Sequence, residues 1–340
     1  MARLAFGVRV PNSGPLASVD HIVQVATAAE AMGFDSVWVH DHVVWSGEMH
    51  RHHISSGAAQ ALAAGQEPRF YEALTTLAYL AGATRRVRLG VACLVLPCRN
   101  PIYVAKQAAN VDWLSGGRLI VGVGLGSRAS RDSGEFEAFG VAMRHRARMT
   151  DEFMQAIRAL WTQPRASFEG RYVRFKDVEM FPKPLQRPGP PLWVGGWTDA
   201  AAERAARYGD GWIPGWLSPD EMRRGREHLV RVAESQGRDP SRITVAIEKL
   251  AAIAPTRQEA MELALPTIEE SRRTYERDVD SVEFALERHI IGSVDDVRRR
   301  VEEFAQAGVE HVELKLIYPS MDSLMRQMEL WARHILPIYR

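Results

Sequence analysis

The feature of this sequence that most constrains the fold is a regular alternation of short apolar segments with longer amphipathic ones. Runs of β-branched and apolar residues predict strands at 4–10, 34–39, 87–96, 119–123, 192–194, 211–213, 243–247 and 311–317. Helical segments follow these strands, and the first, 19–32, ends at Gly33, which suits a left-handed cap. Strands that alternate with helices form parallel sheets, and there are eight strands here. The sequence therefore predicts an α/β fold of the (β/α)8 TIM-barrel type.

Three segments are extra to the eightfold repeat. Polar, glycine-containing residues 46–69 follow the second strand and predict a lid that excludes water. Glu169-Gly170 lies between two alternating runs in 167–180, which predicts a surface hairpin. Residues 257–288 carry balanced charges at helical spacing, which is typical of a solvated face. We expect one domain over residues 1–340, with insertion loops at the carboxyl-terminal face of the strands.

The composition excludes several classes of protein. The chain has 340 residues, of which 46% are hydrophobic and 25% charged, as in ordinary globular proteins. Lys and Arg number 43 against 42 Asp and Glu, so no global basic field favours nucleic acid or an anionic membrane. Cys93 and Cys98 are too few for a disulfide scaffold, and no stretch approaches the roughly 18 apolar residues of a membrane helix. We predict a cytoplasmic protein that acts on small molecules.

The end of the second predicted strand is the first candidate site. In barrels of this type the active site is built where the strands end at their carboxyl side. The sequence there is Trp38-Val39-His40-Asp41-His42, and strand alternation places the two imidazoles on one side and the carboxylate on the other. An imidazole here could hydrogen-bond to a cofactor ring or move a proton, although histidines that cap a helix or are satisfied in a loop are the alternative. Because no histidine follows predicted strands four to seven, we predict no metal site.

Two glycine-rich strand ends are the other candidates. Residues 119–127 read Leu-Ile-Val-Gly-Val-Gly-Leu-Gly-Ser, so Gly124, Gly126 and Ser127 could admit a flat ligand close to the backbone, but neither a dinucleotide fingerprint nor a P-loop is present. Further along the chain, Gly195, Gly196, Trp197 and Thr198 follow the fifth strand and begin a helix. Its exposed amides and dipole could hold a phosphate, with a plain tight turn as the alternative.

Short motifs spread over residues 1–215 carry a family resemblance. They are Ala29-Glu30, Gly33-Phe34-Asp35-Ser36-Val37-Trp38, Asp41-His42, Arg88-Leu89-Gly90, Arg99-Asn100-Pro101, Leu114-Ser115-Gly116-Gly117-Arg118, Glu135-Phe136, Phe139-Gly140, Leu160-Trp161, Phe168-Glu169-Gly170, Pro182-Lys183-Pro184-Leu185-Gln186, Trp193-Val194-Gly195-Gly196 and Gly209-Asp210-Gly211-Trp212. Together they resemble the bacterial luciferase-like monooxygenase family. The chain looks most like its coenzyme F420-dependent oxidoreductases, with the FMN-dependent members next.

The resemblance implies where a cofactor would lie. It implies a deazaflavin or flavin in the barrel mouth, with its phosphate near Gly195 and Gly196. Asp41 and His42 match the Asp-His pair of the family, whose histidine sits beside the reactive ring in F420 members. Trp45 is matched to a tryptophan near that ring. The set expected to back the ring with a bulge and a non-proline cis peptide is Val91, Ala92 and Cys93. Leu125 stands where sugar-phosphate dehydrogenase members carry a glutamate, so a sugar phosphate substrate is disfavoured.

These implications define the expected function. We expect an oxidoreductase that transfers a hydride between F420 and an unidentified small, apolar organic substrate, recognised by loops and by Trp45, Trp197, Trp212 and Trp216. The alternatives are an FMN-dependent monooxygenase that uses oxygen and reduced flavin from a separate reductase, and a non-catalytic flavin-binding barrel. The intact Asp41-His42 and Gly195-Gly196 pairs argue against the last. The family also implies a homodimer formed through helices on one flank of the barrel.

Overall fold

The structure is a computed structural model that describes residues 3–44, 69–126, 133–275 and 282–340. Almost all of the predicted lid, together with Trp45 and Ser127, lies outside the described residues. The strands are β1 (Ala5–Arg9), β2 (Ser36–Val39), β3 (Arg88–Val95), β4 (Leu119–Gly124), β5 (Ala166–Glu169), β6 (Arg174–Val178), β7 (Leu192–Gly195), β8 (Gly211–Ile213), β9 (Thr244–Ala254), β10 (Ile290–Ser293) and β11 (His311–Leu316).

Helices follow most of these strands, and the longer ones cover the outside of the sheet. They are α1 (Val19–Met32), α2 (Ala73–Ala83), α3 (Pro101–Ser115), α4 (Ser133–Ala138), α5 (Arg146–Thr162), α6 (Asp199–Tyr208), α7 (Pro219–Ser235), α8 (Arg257–Tyr275), α9 (Val282–Arg288), α10 (Val294–Gln306) and α11 (Met321–His334). Within the described part of the chain, no helix has the length and apolar character needed to cross a membrane.

The barrel consists of eight parallel strands in the order β1, β2, β3, β4, β7, β8, β9 and β11. The ring closes because β8 pairs with β9, and β11 pairs with both β9 and β1. This confirms the predicted (β/α)8 TIM-barrel fold. The two strands that precede β7 form a separate antiparallel pair, β5 with β6, in the segment where the hairpin was expected.

The hairpin is held by one carboxylate on α5. Glu152 Oε1 accepts hydrogen bonds from the backbone N–H groups of Tyr172 and Val173 at 2.6 and 2.7 Å, and Oε2 accepts one from Arg171 at 2.9 Å. A Cβ at Gly170 would lie 2.3 Å from Glu152 Oε1. Glycine is therefore required in this turn by the approach of the carboxylate.

The ninth parallel strand was not predicted. β10 pairs with the far end of β9, Ala251–Ala254, and β9 itself runs seven residues past the predicted end at position 247. The extra length of β9 is covered by α8 and α9, whose buried Ala260, Ala264 and Ile268 pack with Leu250 and Ala252. The solvated face expected within 257–288 is therefore the outer face of α8, whose other face covers the prolonged strand.

Two indole rings fill the amino-terminal part of the barrel. The Trp38 and Trp193 rings are 5.5 Å apart, and both are buried. Glycines on neighbouring strands make room for them: an added Cβ would lie 2.3 Å from Trp38 at Gly90 and 2.5 Å from Trp193 at Gly211. Trp38 Nε1 donates to Ser36 Oγ at 2.7 Å, so the polar atom of the buried ring is satisfied.

A layer of charged and polar side chains lies directly above the indoles. Several strands have one residue level with the two indoles. On each of them the residue two positions later also points into the barrel, about 6.6 Å nearer the carboxyl end of the strand. This step leads from Gly7 to Arg9, from Trp38 to His40, from Ala246 to Glu248 and from His311 to Glu313. The barrel is therefore closed and apolar on one side of this layer and polar towards its mouth.

Glu30 in α1 has a structural role, and its removal is a test of the fold. Glu30 Oε2 accepts hydrogen bonds from the backbone N–H groups of Arg85, Arg86 and Val87, at 2.8, 2.5 and 2.9 Å. Partial burial works against ionisation, but these three donors hold the pKa of Glu30 below its ordinary value of 4.5. The carboxylate thus ties α1 to the turn that leads into β3.

We predict that Glu30→Ala lowers the free energy of unfolding by about 2 kcal/mol at pH 7, measured by urea denaturation, because the three N–H groups lose their acceptor. Because folding lowers the pKa of Glu30, its ionised carboxylate stabilises the fold at neutral pH, and this stabilisation is lost as the pH falls below about 4.5. The loss of unfolding free energy caused by Glu30→Ala should therefore be smaller at low pH. Glu203→Ala is the matched control, because this partly exposed α6 carboxylate makes ion pairs with the side chains of Arg207 and His228. An equal cost for both variants would contradict the assignment.

Candidate active site

The imidazole of His42 is fixed by a buried carboxylate at the end of β2. His42 Nδ1 lies 2.8 Å from Glu135 Oε2, and Glu135 Oε1 accepts the backbone N–H of Val43 at 2.7 Å. Both side chains are buried. Glu135 is in the first turn of α4, where a negative charge is favoured by the helix dipole. The pair provides one acid–base group with a defined orientation at the mouth of the barrel.

His40 faces the same side as His42, as the alternation of β2 requires. Both rings meet Phe70 edge-on, with centroids 4.8 and 6.0 Å from it. His40 Nε2 lies 2.8 Å from Ser13 Oγ. Buried Asn12 donates from Nδ2 to the His40 carbonyl at 2.9 Å, so the ends of β1 and β2 are joined.

Asp41 points the other way and is fully engaged by its neighbours. Its Oδ2 accepts the backbone N–H of Val95 and Arg99 Nε, both at 3.0 Å, and Arg99 Nη2 contacts Oδ1. Arg99 also pairs with Glu72 at 2.9 Å. Burial raises the pKa of Asp41, and the Arg99 charge opposes that rise. These contacts join the end of β2 to the end of β3, so the geometry gives Asp41 a positioning role for the loop that carries His42.

The stretch expected to back a cofactor ring is a bulge in β3. The pairing of β3 with β4 shifts register between Val91 and Leu94, and the peptide bond between Ala92 and Cys93 is cis. The bulge and the cis bond thus fall within the predicted set of Val91, Ala92 and Cys93. Burial raises the pKa of the Cys93 thiol above its ordinary value, so this sulfur is a packing group and not a nucleophile.

The glycines of β4 and β7 surround this bulge. A Cβ at Gly195 would lie 2.6 Å from Cys93 Sγ, one at Gly124 would lie 3.2 Å from Cys93 Cβ, and one at Gly122 would lie 2.1 Å from the Val91 carbonyl oxygen. Gly124 was expected to admit a flat ligand close to the backbone. The structure gives Gly122, Gly124 and Gly195 a packing role, because the β3 bulge lies where a side chain at these positions would project.

Gly126 is required for a similar reason. Its φ of +73° lies in the left-handed region, and a Cβ there would be 2.8 Å from the ring of Phe136. Phe136 is buried and follows Glu135 on α4. Gly126 therefore lets the β4 end accommodate the helix that supplies the partner of His42.

The Gly195–Gly196 turn leads into α6 with its first amides uncapped. Gly196 has a φ of +110°, and the Thr198 side chain makes no capping hydrogen bond to the helix. First-turn N–H groups without a side-chain acceptor can hold an anion. Trp197, beside them, is 48% exposed. Trp212, by contrast, was expected to contact substrate but is buried against Gly225 of α7, with its Nε1 donating to the Gly196 carbonyl at 2.9 Å.

A buried charge cluster joins β1, β9 and β11 on the far side of the mouth. Arg9 donates through Nε and Nη2 to the two oxygens of Glu313 at 2.8 and 3.0 Å, and Nη2 also lies 3.1 Å from Glu248 Oε2. Glu313 is fully buried, whereas a third of the Glu248 side chain is exposed. Burial raises the pKa of Glu313 even beside Arg9. The sequence analysis did not identify this cluster.

The model of the family described as luciferase-like monooxygenase matches residues 4–311. The chain belongs to the luciferase-like monooxygenase family. It therefore belongs to a family of oxidoreductases.

Similar proteins include members of both cofactor groups. The chain is 26% identical over 300 residues to an FMNH(2)-dependent dimethylsulfone monooxygenase from Pseudomonas putida, and the aligned region covers 79% of each chain. The monooxygenase RslO1 from Streptomyces bottropensis superimposes with a TM-score of 0.80 at 26% identity, over 99% of this chain and 100% of that one. An F420-dependent secondary alcohol dehydrogenase in complex with an F420-acetone adduct also gives 0.80, at 20% identity over the full length of both chains, which supports the fold.

The site of this luciferase-like oxidoreductase suits a phosphate-bearing cofactor. The uncapped amides at the start of α6 match the phosphate, and the mouth next to them carries a fixed imidazole and an exposed indole. Among the residues that the structure describes, no three His, Cys, Asp or Glu side chains are grouped to hold a metal ion. Glu135 belongs to a motif that carried the resemblance, but it lies 93 residues from His42, and no local pattern links such distant positions.

The glycine interpretation can be tested with a double-mutant cycle. We predict that Gly195→Ala lowers the free energy of unfolding by about 2 kcal/mol, because its methyl group collides with Cys93 Sγ. In a Cys93→Ala background the nearest atom is the residue 93 Cβ, 3.6 Å away, and the cost should fall below about 1 kcal/mol. Urea denaturation of the four proteins measures the coupling. The same cost in both backgrounds would show that Cys93 does not exclude the side chain.

Proposed function

We propose that this protein transfers a hydride between coenzyme F420 and a small organic substrate held in the barrel mouth. The observation that carries the proposal is the His42–Glu135 pair at the end of β2. His42 stands where the Asp-His motif of F420-dependent members has the histidine that lies beside the reactive ring. Bound F420 would supply the hydride acceptor or donor.

The residues of the chain would serve binding, orientation and proton movement. The Glu135 carboxylate orients the His42 ring, so this imidazole can donate or accept a hydrogen bond, or pass a proton, next to a ligand. The amides at the start of α6 would hold the cofactor phosphate, and the bulge at Ala92 and Cys93 would support the face of the ring. Asp41, through Arg99 and Val95, would keep the His42 loop in place.

A second candidate is FMN-dependent monooxygenation with oxygen and reduced flavin delivered by a separate reductase. It is supported by the 26% identity to the FMNH(2)-dependent dimethylsulfone monooxygenase and to the monooxygenase RslO1. Both candidates use the same mouth and the same phosphate site. They differ in the cofactor that binds.

Titration of the purified protein with F420 and, separately, with FMN separates the two. We expect F420 to bind at micromolar concentration or tighter, measured by the change in its fluorescence, and to bind more tightly than FMN. His42→Ala should leave F420 affinity within about threefold but slow hydride transfer about 100-fold, as expected for loss of a general acid–base group. Glu135→Gln should slow it less, because the ring stays and only its orienting charge is lost.

Two results would contradict this proposal. A clear preference for FMN would favour the monooxygenase, and an unchanged rate in His42→Ala would remove the imidazole from the reaction. His228→Ala is the matched control, because that histidine lies on α7, outside the barrel.

We also propose that the protein forms a homodimer through α2, α3 and the segment that packs on α3. Tyr103 and Trp113 lie on α3 and are 70% and 50% exposed. Phe181 is 62% exposed, and its carbonyl contacts Lys106 of the same helix. Exposed apolar side chains on one continuous flank are typical of a protein interface.

A substitution in this flank tests the dimer. We expect Tyr103→Asp with Trp113→Glu to convert the dimer to a monomer in sedimentation-velocity experiments, because the charges cannot be buried in an apolar interface. Val19→Asp, at an exposed position on α1, should leave the sedimentation coefficient unchanged. A wild-type protein that sediments as a monomer at micromolar concentration would contradict the proposal.

A further inference from the structure

Lys315 is placed on the far side of the mouth by the last strand of the barrel. Two and four residues before it on β11, Glu313 bonds Arg9 and His311 packs against Trp193, both inside the barrel. Strand alternation directs Lys315 the same way, one step nearer the carboxyl end of β11 than the charge cluster. Its side chain is partly exposed there.

Lys315 differs from each of the other lysines of the chain either in its contacts or in its position. There are five lysines, at positions 106, 176, 183, 249 and 315. Three of them donate to backbone carbonyls, Lys106 to Phe181, Lys183 to Leu160 and Gln163, and Lys249 to Gly215 and Leu217, while Lys176 is exposed on the hairpin. Lys315 makes no hydrogen bond or ion pair with any residue that the structure describes.

The charges around Lys315 are already paired with one another. Glu313 and Glu248 both bond Arg9, and neither carboxylate forms an ion pair with Lys315. Burial, and after it the Arg9 charge, lowers the pKa of Lys315 to about 8, against the opposing effect of the two carboxylates. The ring of His289 is a further titratable group nearby, and burial keeps its pKa well below the ordinary value, so it adds no second positive charge at pH 7. At pH 7 Lys315 is mainly a cation with donors to offer.

We propose that Lys315 binds an acceptor oxygen of the substrate, a carbonyl or a carboxylate, on the side of the mouth formed by β1, β9 and β11. The inference rests on the proposed function, since it assigns the substrate end of the same mouth. It also revises the expectation of an apolar substrate. The molecule needs one polar oxygen pointing away from His42 and towards the charge cluster.

Chemical labelling of the wild-type protein provides the first test. At pH 7 a lysine with a pKa of about 8 has roughly a tenth of its amine neutral, whereas an ordinary lysine has less than a thousandth. Trace acetylation followed by peptide mass spectrometry should therefore label Lys315 at least as fast as exposed Lys176. Benzoate and acetophenone, used as acceptor-oxygen probes, should slow labelling of Lys315 about tenfold, and benzylammonium should not.

Binding to variants provides the second test. Benzoate affinity, measured by calorimetry, should fall at least tenfold in Lys315→Met and be largely retained in Lys315→Arg, while Lys176→Met is the matched control. F420 affinity should stay unchanged in all three. Should Lys315→Met fail to fold, the Lys315→Arg variant and the labelling of the wild-type protein still test whether Lys315 binds the acceptor oxygen.

Each adverse outcome has a separate meaning. Equal protection by all three probes, or unchanged benzoate affinity in Lys315→Met, would overturn the assignment of Lys315. Protection by F420 or FMN alone would show that the lysine contacts the cofactor, which also overturns it. If benzoate protects Lys315 but neither cofactor binds, the proposed function fails while the acceptor-oxygen site stands.

Discussion

The packing of two indoles against glycines determines which end of this barrel can bind a ligand. Trp38 and Trp193 occupy the amino-terminal part of the lumen, and Gly90 and Gly211 on neighbouring strands leave room for them. A barrel of eight strands has an interior just wide enough for side chains to fill. Once two indoles fill one part, only the part nearer the carboxyl ends can admit a ligand. The chemistry of the protein is confined to one end for this reason.

The motifs that carried the family resemblance act mainly in folding. The carboxylates in them accept backbone N–H groups from neighbouring segments: Glu30 from Arg85, Arg86 and Val87, Asp35 from Phe6, Asp41 from Val95, Glu135 from Val43 and Asp210 from Leu192. A buried N–H without an acceptor is costly, so each carboxylate specifies how one loop joins the barrel. Such motifs identify the fold and the position of the mouth. They say little about the substrate, which meets other residues.

The sequence predicted local structure well and long-range contacts poorly, for a physical reason. The bounds of α1 agree with the predicted range 19–32, because caps such as Ser18 and Gly33 are local signals. β10 was missed because only five residues separate α9 from α10, and its pairing with β9 is not visible locally. The same limit applies to the site. His42 could be picked out at a strand end, but the Arg9–Glu313 pair joins residues 304 positions apart, and only closure of the barrel brings them together.

The mouth is divided into two sides of different chemistry. On one side β2, β3, β4 and β7 contribute the His42 imidazole, the β3 bulge and the uncapped start of α6, which suit a flat cofactor with a phosphate. On the other side β1, β9 and β11 contribute the charge cluster and Lys315, which suit polar ligand atoms and not an aromatic ring. Under the proposed function, a substrate that lies between them would face the cofactor ring with its reacting carbon and Lys315 with its oxygen. The placement of charge around the barrel would then determine the orientation of the substrate. Substitution of apolar side chains in the mouth would change the size of substrate that the enzyme accepts before it changed that orientation.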